Sequence, residues 1–410
     1  MRILILTASL NGGAGIAATR LYRDLRKENY DVSICYGEGL KVFIEKDNDR
    51  KWICYNFSFF YFYIFNFIFK LTSKGQCPQS YSTSLFKTNL SKKINSLHFD
   101  IVHIHWFGHE FLSISDIVRI RAHVVMTLHD AWLIQGLAHL PNSSMIRSLS
   151  PNTSEESRIR KRIISYLDSK TYKNKTFLLK KDVTYISPSL WLSGSFEQSE
   201  FGFNNRIHTI ANVVDSNFLQ QPVESLLANR KSSHGFNIIF TSFNAMQDFN
   251  KGFDLFLESL KYLQDINFKI IILGSDFSGP LSYLKSKIDL LPLTSDVNMI
   301  RNTFMSASVC VVPSRIENAS QVTIESQLMG TPVVAFKTSG MIELINHRVN
   351  GYLANSFDAF DFAKGIRWVF ENQNDPGFHK RIIELARSRD INNNSIKSHK
   401  LVYEQVTNRA

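Results

Sequence analysis

Cysteine is scarce. Cys35, Cys54, Cys77 and Cys310 are the only four in 410 residues, and no two have the spacing of a metal site or a redox pair. Such usage excludes a disulfide-stapled secreted module and fits a reducing, cytosolic compartment. Nothing else along the chain has metal-ligand spacing, so metal-independent chemistry is expected. A Leu/Val-rich run of membrane length is also missing. Residues 52–69 approach one in length, but they are aromatic and interrupted by Asn and Ser. The opening Met1-Arg-Ile-Leu-Ile-Leu-Thr7 is too short for a signal peptide and continues into what reads as a first strand. The formal net charge is +11, yet no RNA- or DNA-binding motif accompanies it. Positive charge without such a motif points away from nucleic acid and toward lipid phosphate at a membrane surface.

What is present is apolar residue enough for two cores. Hydrophobic residues make up 44% of the chain, and its length suits two ordinary domains. Strand and helix patterns alternate, stop, and restart. This predicts an α/β domain over 1–215, a polar linker over 216–234, a second α/β domain over 235–390 and a terminal segment over 391–410. About +9 of the net charge lies before residue 205, so the first half is the one expected to meet phosphates or anionic lipid.

In the first half, Arg2–Thr7 reads as a buried strand. The glycine-rich Asn11-Gly12-Gly13-Ala14-Gly15 follows, then a helical pattern from Ile16 to Leu25. A glycine loop between strand and helix lets backbone N–H groups approach a phosphate or sugar. Gly13-x-Gly15-x-x-Ala18 also spells a dinucleotide fingerprint, with Glu38 about 20 residues on. A tight strand-to-helix turn is the plain alternative. The aromatic stretch 52–69, with Lys70 and Lys74 after it, suggests a segment that dips into the headgroup layer. A buried aromatic helix is its alternative. Asp100–His105 and His123–His129 are two further strands. His103 and His105 read as satisfied polar residues, whereas His129, followed by Asp130 and Trp132 at the ligand edge of the sheet, reads as a ligand residue.

The second half begins with the strand Phe236–Thr241 and a loop carrying Lys251 just before a helix. A lysine there adds its charge to the helix dipole at a phosphate. Residues 308–335 are the most informative stretch. Val309–Val312 is a buried strand, Glu317 lies in a short polar loop, Ser320 is an N-cap, and a helix carrying Glu325 ends at Gly330 before the strand opened by Val333. That is one parallel βαβ unit, and the loop leaves the carboxyl end of its strand, where open α/β sheets bind ligands. Carboxylates suit ribose or hexose hydroxyls. With Lys251 for a diphosphate, a nucleotide sugar satisfies the whole set.

The ordered motifs resemble glycosyltransferase family 4. They are Gly12-Gly13, His129-Asp130, Ile186-Ser-Pro-Ser189, Asn212-x-x-Asp215, Lys251-Gly252, Pro313-Ser314, Glu317-x7-Glu325, Gly330-Thr-Pro-Val-Val and Gly351-Tyr-Leu353. The resemblance implies a retaining enzyme with two Rossmann-like doubly wound domains facing a cleft, the GT-B fold. It implies that Glu325 holds the ribose and Glu317 the transferred sugar. Asn318, Ala319 and Ser320 would offer backbone to sugar or phosphates, Lys251 would bind the diphosphate, and Gly12 and Gly13 would approach the donor. His129 would lie at the reacting sugar. His129 and Glu317 are therefore the catalytic candidates, although neither glutamate is read as a general acid or base. The terminal helix would cross back to the first domain. The chain departs from the family in lacking an arginine a few residues ahead of Lys251, which makes Arg315 an alternative phosphate ligand. It also has Ser339 in place of the first glycine of a common pair, and no cysteine cluster in 135–150.

The resulting expectation is a hexosyl transfer from a UDP- or GDP-linked sugar, with no further cofactor. The acceptor would be a lipid-linked saccharide in surface-polysaccharide (lipopolysaccharide or O-antigen) assembly. The protein would be cytoplasmic and peripheral on the inner membrane face. The competing readings are a nicotinamide-dependent oxidoreductase and a sugar-nucleotide epimerase on the same fold.

Overall fold

The computed structural model describes every residue except 59, 62, 65–81, 141–157, 204, 231–234, 242–247, 275–286, 376 and 409–410. The chain forms two compact units, Met1–Val213 with Asn393–Ala410, and Val214–Asn392.

The first unit is built on an eight-stranded sheet. Its strands are β1 (Arg2–Thr7), β2 (Asp31–Glu38), β3 (Lys41–Lys46), β4 (Asp49–Tyr55), β5 (Ile101–Trp106), β6 (His123–Thr127), β7 (Val183–Ser187) and β8 (Ile207–Thr209). Their order is β4-β3-β2-β1-β5-β6-β7-β8. All neighbours are parallel except β2–β3 and β3–β4, which form an antiparallel edge. The continuous apolar run of β1 follows from burial on both faces. Leu4 and Leu6 enter one core, while Ile3 and Ile5 enter the other. The chain leaves β1 for β2 on one side and returns to β5 on the other, so the order reverses between β1 and β5.

The second unit holds six parallel strands, β9 (Phe236–Thr241), β10 (Phe268–Leu273), β11 (Ile288–Leu291), β12 (Val309–Val312), β13 (Val333–Phe336) and β14 (Gly351–Ala354). Their order is β11-β10-β9-β12-β13-β14. Ile238, Phe240, Val309 and Val311 pack on one face, and Ile239, Cys310 and Val312 on the other. Each such side chain contributes about 1.5–3 kcal/mol of transfer free energy. Here the order reverses between β9 and β12, which makes their carboxyl-end loops the ligand position of this sheet.

Three expectations need correction or restriction. First, Gly12 and Gly13 are not in a loop. They open the helix Gly12–Lys27, and the connection from β1 is Ala8 to Asn11. Gly15 lies so close to the Ser9 and Leu10 backbone that a Cβ would overlap it, so this glycine lets the helix pack against the turn that leads into it. Second, residues 216–234 are, as far as Arg230, built into the second unit. Phe218 and Leu226 are fully buried in its core. Arg230 closes the helix Val223–Arg230, and its guanidinium donates to the carbonyls of Met329 (3.0 Å) and Ala307 (2.8 Å) and to Thr331 Oγ1 (2.8 Å). The stretch looks like a linker because its few anchors are surrounded by polar residues. Third, the start of the aromatic stretch is strand: Trp52–Tyr55 complete β4. Residues 65–69, with Lys70 and Lys74, lie outside the described residues. Among those described, no helix is long and apolar enough to cross a membrane. The terminal helix runs Ile391–Thr407, and its residues from Asn393 on belong to the first unit, as expected. Ile396, Val402, Tyr403 and Val406 enter that unit's core, and Ser395 Oγ donates to Ala211 O at 2.6 Å.

Candidate functional site

In the second unit the site is made by the loops after β9 and β12. Lys251 ends a short turn, Phe249–Lys251, that Asp248 caps by accepting from Asn250 N at 2.9 Å. Gly252 follows at φ +66, and a Cβ there would overlap the Pro313 carbonyl. Only glycine lets the β9 loop pass this close to the β12 loop. Asn250 then ties the two loops together. Its amide donates to Ile316 O (2.8 Å) and accepts from Ile316 N (3.0 Å).

This places Lys251 Nζ 2.6 Å from Glu317 Oε1, which also accepts from Ser314 Oγ at 2.8 Å. The partner of Glu317 is not the nearby Arg315 but a lysine 66 residues away. Glu317 N donates to Ser339 Oγ at 2.9 Å, and Gly340 N donates to Glu317 O at 2.9 Å. Gly340 packs against the Asn318 carbonyl with no space for a Cβ. Burial by itself would lower the Lys251 pKa, but Glu317 and Asp248 outweigh it and raise it, so the ammonium stays charged. Asp248 has its pKa raised by burial, with Glu317 adding to the shift and Lys251 opposing it.

Ser320 caps the helix Gln321–Leu328, accepting from Thr323 N at 3.3 Å. Glu325 lies one turn into that helix and is 6% exposed. Glu317, Asn318, Ala319, Ser320 and Glu325 thus form one continuous stretch leading through the helix start, and the loop of Lys251 lies against it. Arg315 is a correction. Its guanidinium makes two bonds to the Asp254 carboxylate (3.0 and 2.6 Å), donates to Phe249 O and stacks on the Phe249 ring. The side chain is 3% exposed, so it braces the Lys251 turn and is not available as a phosphate ligand.

In the first unit, Gly12 and Gly13 are exposed, and a Cβ on either would meet nothing within 4 Å. His129 follows β6, and its Nε2 lies 2.9 Å from His105 Nδ1 on β5. Burial pushes the His129 imidazole down to about 4 and holds that of His105 well below its ordinary value. Asp130 turns the other way. Its carboxylate accepts from Trp106 Nε1 (3.1 Å), Trp132 N (2.9 Å) and His139 Nδ1 (2.7 Å). Although burial alone would push it up, these partners hold its pKa below the usual carboxylate value. His139 Nε2 continues to Ser82 Oγ at 2.8 Å. The Ser82-His139-Asp130 order is that of a hydrolase triad, but Ser82 is 1% exposed and serves as a brace. Lys175 completes the loop's support, with its ammonium on the carbonyls of Trp132, Gln135 (2.9 Å) and Gly136 (2.5 Å). Sequence reading missed His105, His139 and Lys175. Their signal is pairwise and appears only once the strands are in register.

Glu38 is ion-paired with Arg50 across the β2–β3–β4 edge, and Arg50 stacks on Phe43. The carboxylate a dinucleotide ribose would need is therefore occupied. Asp47-Asn48-Asp49 does spell a divalent-cation clamp, which the sequence reading passed over. It forms the β3–β4 turn, with φ +55 at Asp47 and +64 at Asn48, and Asp47 pairs with Arg26. Among the described residues no three His, Cys, Asp or Glu side chains converge on a metal position.

Residues 236–372 match the family model described as glycosyl transferases group 1. An uncharacterized glycosyltransferase of Haemophilus influenzae is 30% identical over 132 residues, covering 30% of this chain and 36% of that protein. The chain spans about a third of the length of the curated relatives it first matches. Among solved structures, Anabaena Alr3699/HepE in complex with UDP-glucose superposes with a TM-score of 0.59 at 15% identity, over 100% of both chains. WaaG, described as a glycosyltransferase involved in lipopolysaccharide biosynthesis, superposes with a TM-score of 0.58 at 12% identity, over 98% of this chain and 99% of that one. Likeness at this identity establishes the fold, the GT-B architecture of two Rossmann-like domains.

Proposed function

We propose that this chain is a glycosyltransferase that takes a hexose-type sugar from a nucleoside diphosphate. The observation that carries the proposal is the pairing of Lys251 with Glu317 at the strand-order reversal of the second sheet, three residues ahead of the Ser320 cap and eight ahead of Glu325. One cation, one helix start and two carboxylates meet the three chemistries of a nucleotide sugar. Lys251 and the helix start serve the diphosphate, Glu317 the sugar hydroxyls and Glu325 the ribose. Backbone at Asn318, Ala319 and Ser320 contributes the remaining polar contacts. The open space at Gly13, which no packing demand explains, supports its closeness to the donor.

In this reading bond cleavage leaves charge on the diphosphate. Lys251, held charged by Glu317 and Asp248, and the dipole of the helix start are preorganised to receive it. His129 is the first unit's contribution to the reacting sugar. Its imidazole, neutral by burial, serves as a hydrogen-bonding group. The family resemblance assigns a retaining outcome. UDP is the favoured nucleotide, since UDP and UDP-glucose are what the HepE structures hold. The WaaG likeness supports a saccharide acceptor in surface-polysaccharide assembly. Peripheral contact with an anionic bilayer on a lipid-linked acceptor is supported by the exposure of Trp52, Tyr55, Phe57, Phe60 and Tyr63 beside Lys51.

The test is product analysis by NMR with UDP-glucose and a panel of lipid-linked saccharides. Acceptor-dependent release of UDP with formation of an α-glycosidic bond supports the proposal. Epimerised nucleotide sugar without acceptor would replace transfer by isomerisation.

A further inference from the structure

Four buried aromatic groups form a column beneath His129. His105 Nδ1 meets His129 Nε2 at 2.9 Å. The His105 ring lies against the His103 ring at 4.5 Å between centroids. His103 in turn uses both nitrogens, Nδ1 with Tyr403 Oη (2.7 Å) and Nε2 with Thr127 Oγ1 (2.8 Å). His399 completes the surroundings, with its centroid 5.7 Å from that of His103. The charged or titratable groups near His105 are thus His103, His129, His399 and Tyr403, and none is an anion. Asp130 follows His129 directly in sequence, and its oxygens are held by Trp106, Trp132 and His139.

Two neutral imidazoles joined by one N···N hydrogen bond share a single proton in it. Either His105 Nδ1 donates, or His129 Nε2 does. Among the described residues His105 Nε2 is buried with no hydrogen-bond partner. If His129 donates, His105 Nε2 must carry the second proton, and that N–H is sealed in the protein with nothing to receive it. If His105 donates, Nε2 is a bare nitrogen. Orphan buried N–H groups are the rarer arrangement in folded proteins, and the tautomer follows from the partner of the opposite nitrogen.

We propose that His105 is a positioning residue that donates from Nδ1 and so locks His129 in the tautomer protonated at Nδ1. Resting on the reading that His129 meets the transferred sugar, this places the His129 proton on the nitrogen away from His105 and denies His129 the role of general base.

The test is NMR of the full-length chain with 15N-labelled histidine rings, recorded at neutral pH without substrate. Resonances are assigned through His129→Gln and His105→Asn. The expected result is a protonated Nδ1 and bare Nε2 on both His129 and His105. A protonated Nε2 on His129 overturns the proposal. His105→Asn keeps a donor near the Nδ1 position and should leave the His129 pattern intact, whereas His105→Leu should release it so that Nε2 becomes protonated. An unchanged His129 pattern in the folded leucine variant would remove the positioning role. Because no substrate is present, these outcomes stand apart from whether the chain transfers sugar.

Discussion

Lys251 Nζ and Glu317 Oε1 lie 2.6 Å apart, although the residues are 66 positions apart in the chain. Each comes from a loop at the carboxyl end of a different strand, β9 and β12. The pair means that the cation assigned to a diphosphate is, without ligand, shared with the carboxylate assigned to the sugar. Under the proposed function a donor takes Lys251 partly away from Glu317, while its hydroxyls replace that contact.

The two residues should separate in a titration. Lys251→Met should weaken UDP binding about 10- to 150-fold, the range for losing a charged hydrogen bond. Glu317→Gln removes the competitor for Lys251 and should bind UDP as well as wild type or a few-fold better, yet lose turnover. Calorimetry for UDP and initial rates for transfer check the contrast. Equal loss of UDP affinity in both variants would argue against the shared-cation account.

Arg315 should behave as a brace. Asp254→Ala leaves its buried guanidinium short of two bonds and should cost about 1–3 kcal/mol of stability. Nucleotide affinity in the folded variant should stay within a few-fold. Denaturant unfolding and a UDP titration measure the two quantities separately, and a selective loss of affinity would restore Arg315 as a phosphate ligand.

The glycines divide by what surrounds them. Gly252→Ala and Gly340→Ala drive a methyl into the carbonyls of Pro313 and Asn318, so both should lower the melting temperature. Gly13→Ala meets nothing in the protein. It should melt near wild type but bind the nucleotide sugar more weakly if the donor approaches there. A melting curve and a binding curve for each variant are sufficient.

Acid should destabilise the first unit early. His399 is 4% exposed, and burial lowers its pKa to about 4. Between the unfolded value near 6.5 and that folded value, the unfolded chain binds a proton the folded chain refuses. Stability therefore falls as pH drops through this window, by roughly 2 kcal/mol for one such ring between pH 7 and 5. His399→Asn should make the decline shallower in urea unfolding across that range. An identical pH slope would show that the ring titrates freely in the folded state.

Much of the second site was legible because its signals are local. Val309–Val312 is a continuous apolar run, Ser320 and Gly330 bracket a helix, and all three are where the sequence reading puts them. The Lys251–Glu317 pair was not legible, since sequence distance hides which loops flank a strand-order reversal. Arg315 was misread for the same reason: its partner Asp254 is 61 residues away. The β3–β4 edge was missed because aromatic residues at 52–55 drew the reading toward a membrane segment, although Phe43 opposite Trp52 is an ordinary cross-strand pairing. His105 looked like a satisfied strand residue. Only the register of β5 beside β6 brings its ring to His129.

The central claim is that the loops carrying Lys251, Glu317 and Glu325 hold a nucleotide sugar. Calorimetric titration of the full chain with UDP-glucose, GDP-mannose and NADH, repeated on Glu325→Ala, tests it most directly. The account predicts saturable binding of one nucleotide sugar, at least tenfold weaker in Glu325→Ala, and none of NADH. Tight NADH binding, or nucleotide-sugar affinity unchanged by the loss of the Glu325 carboxylate, would contradict it.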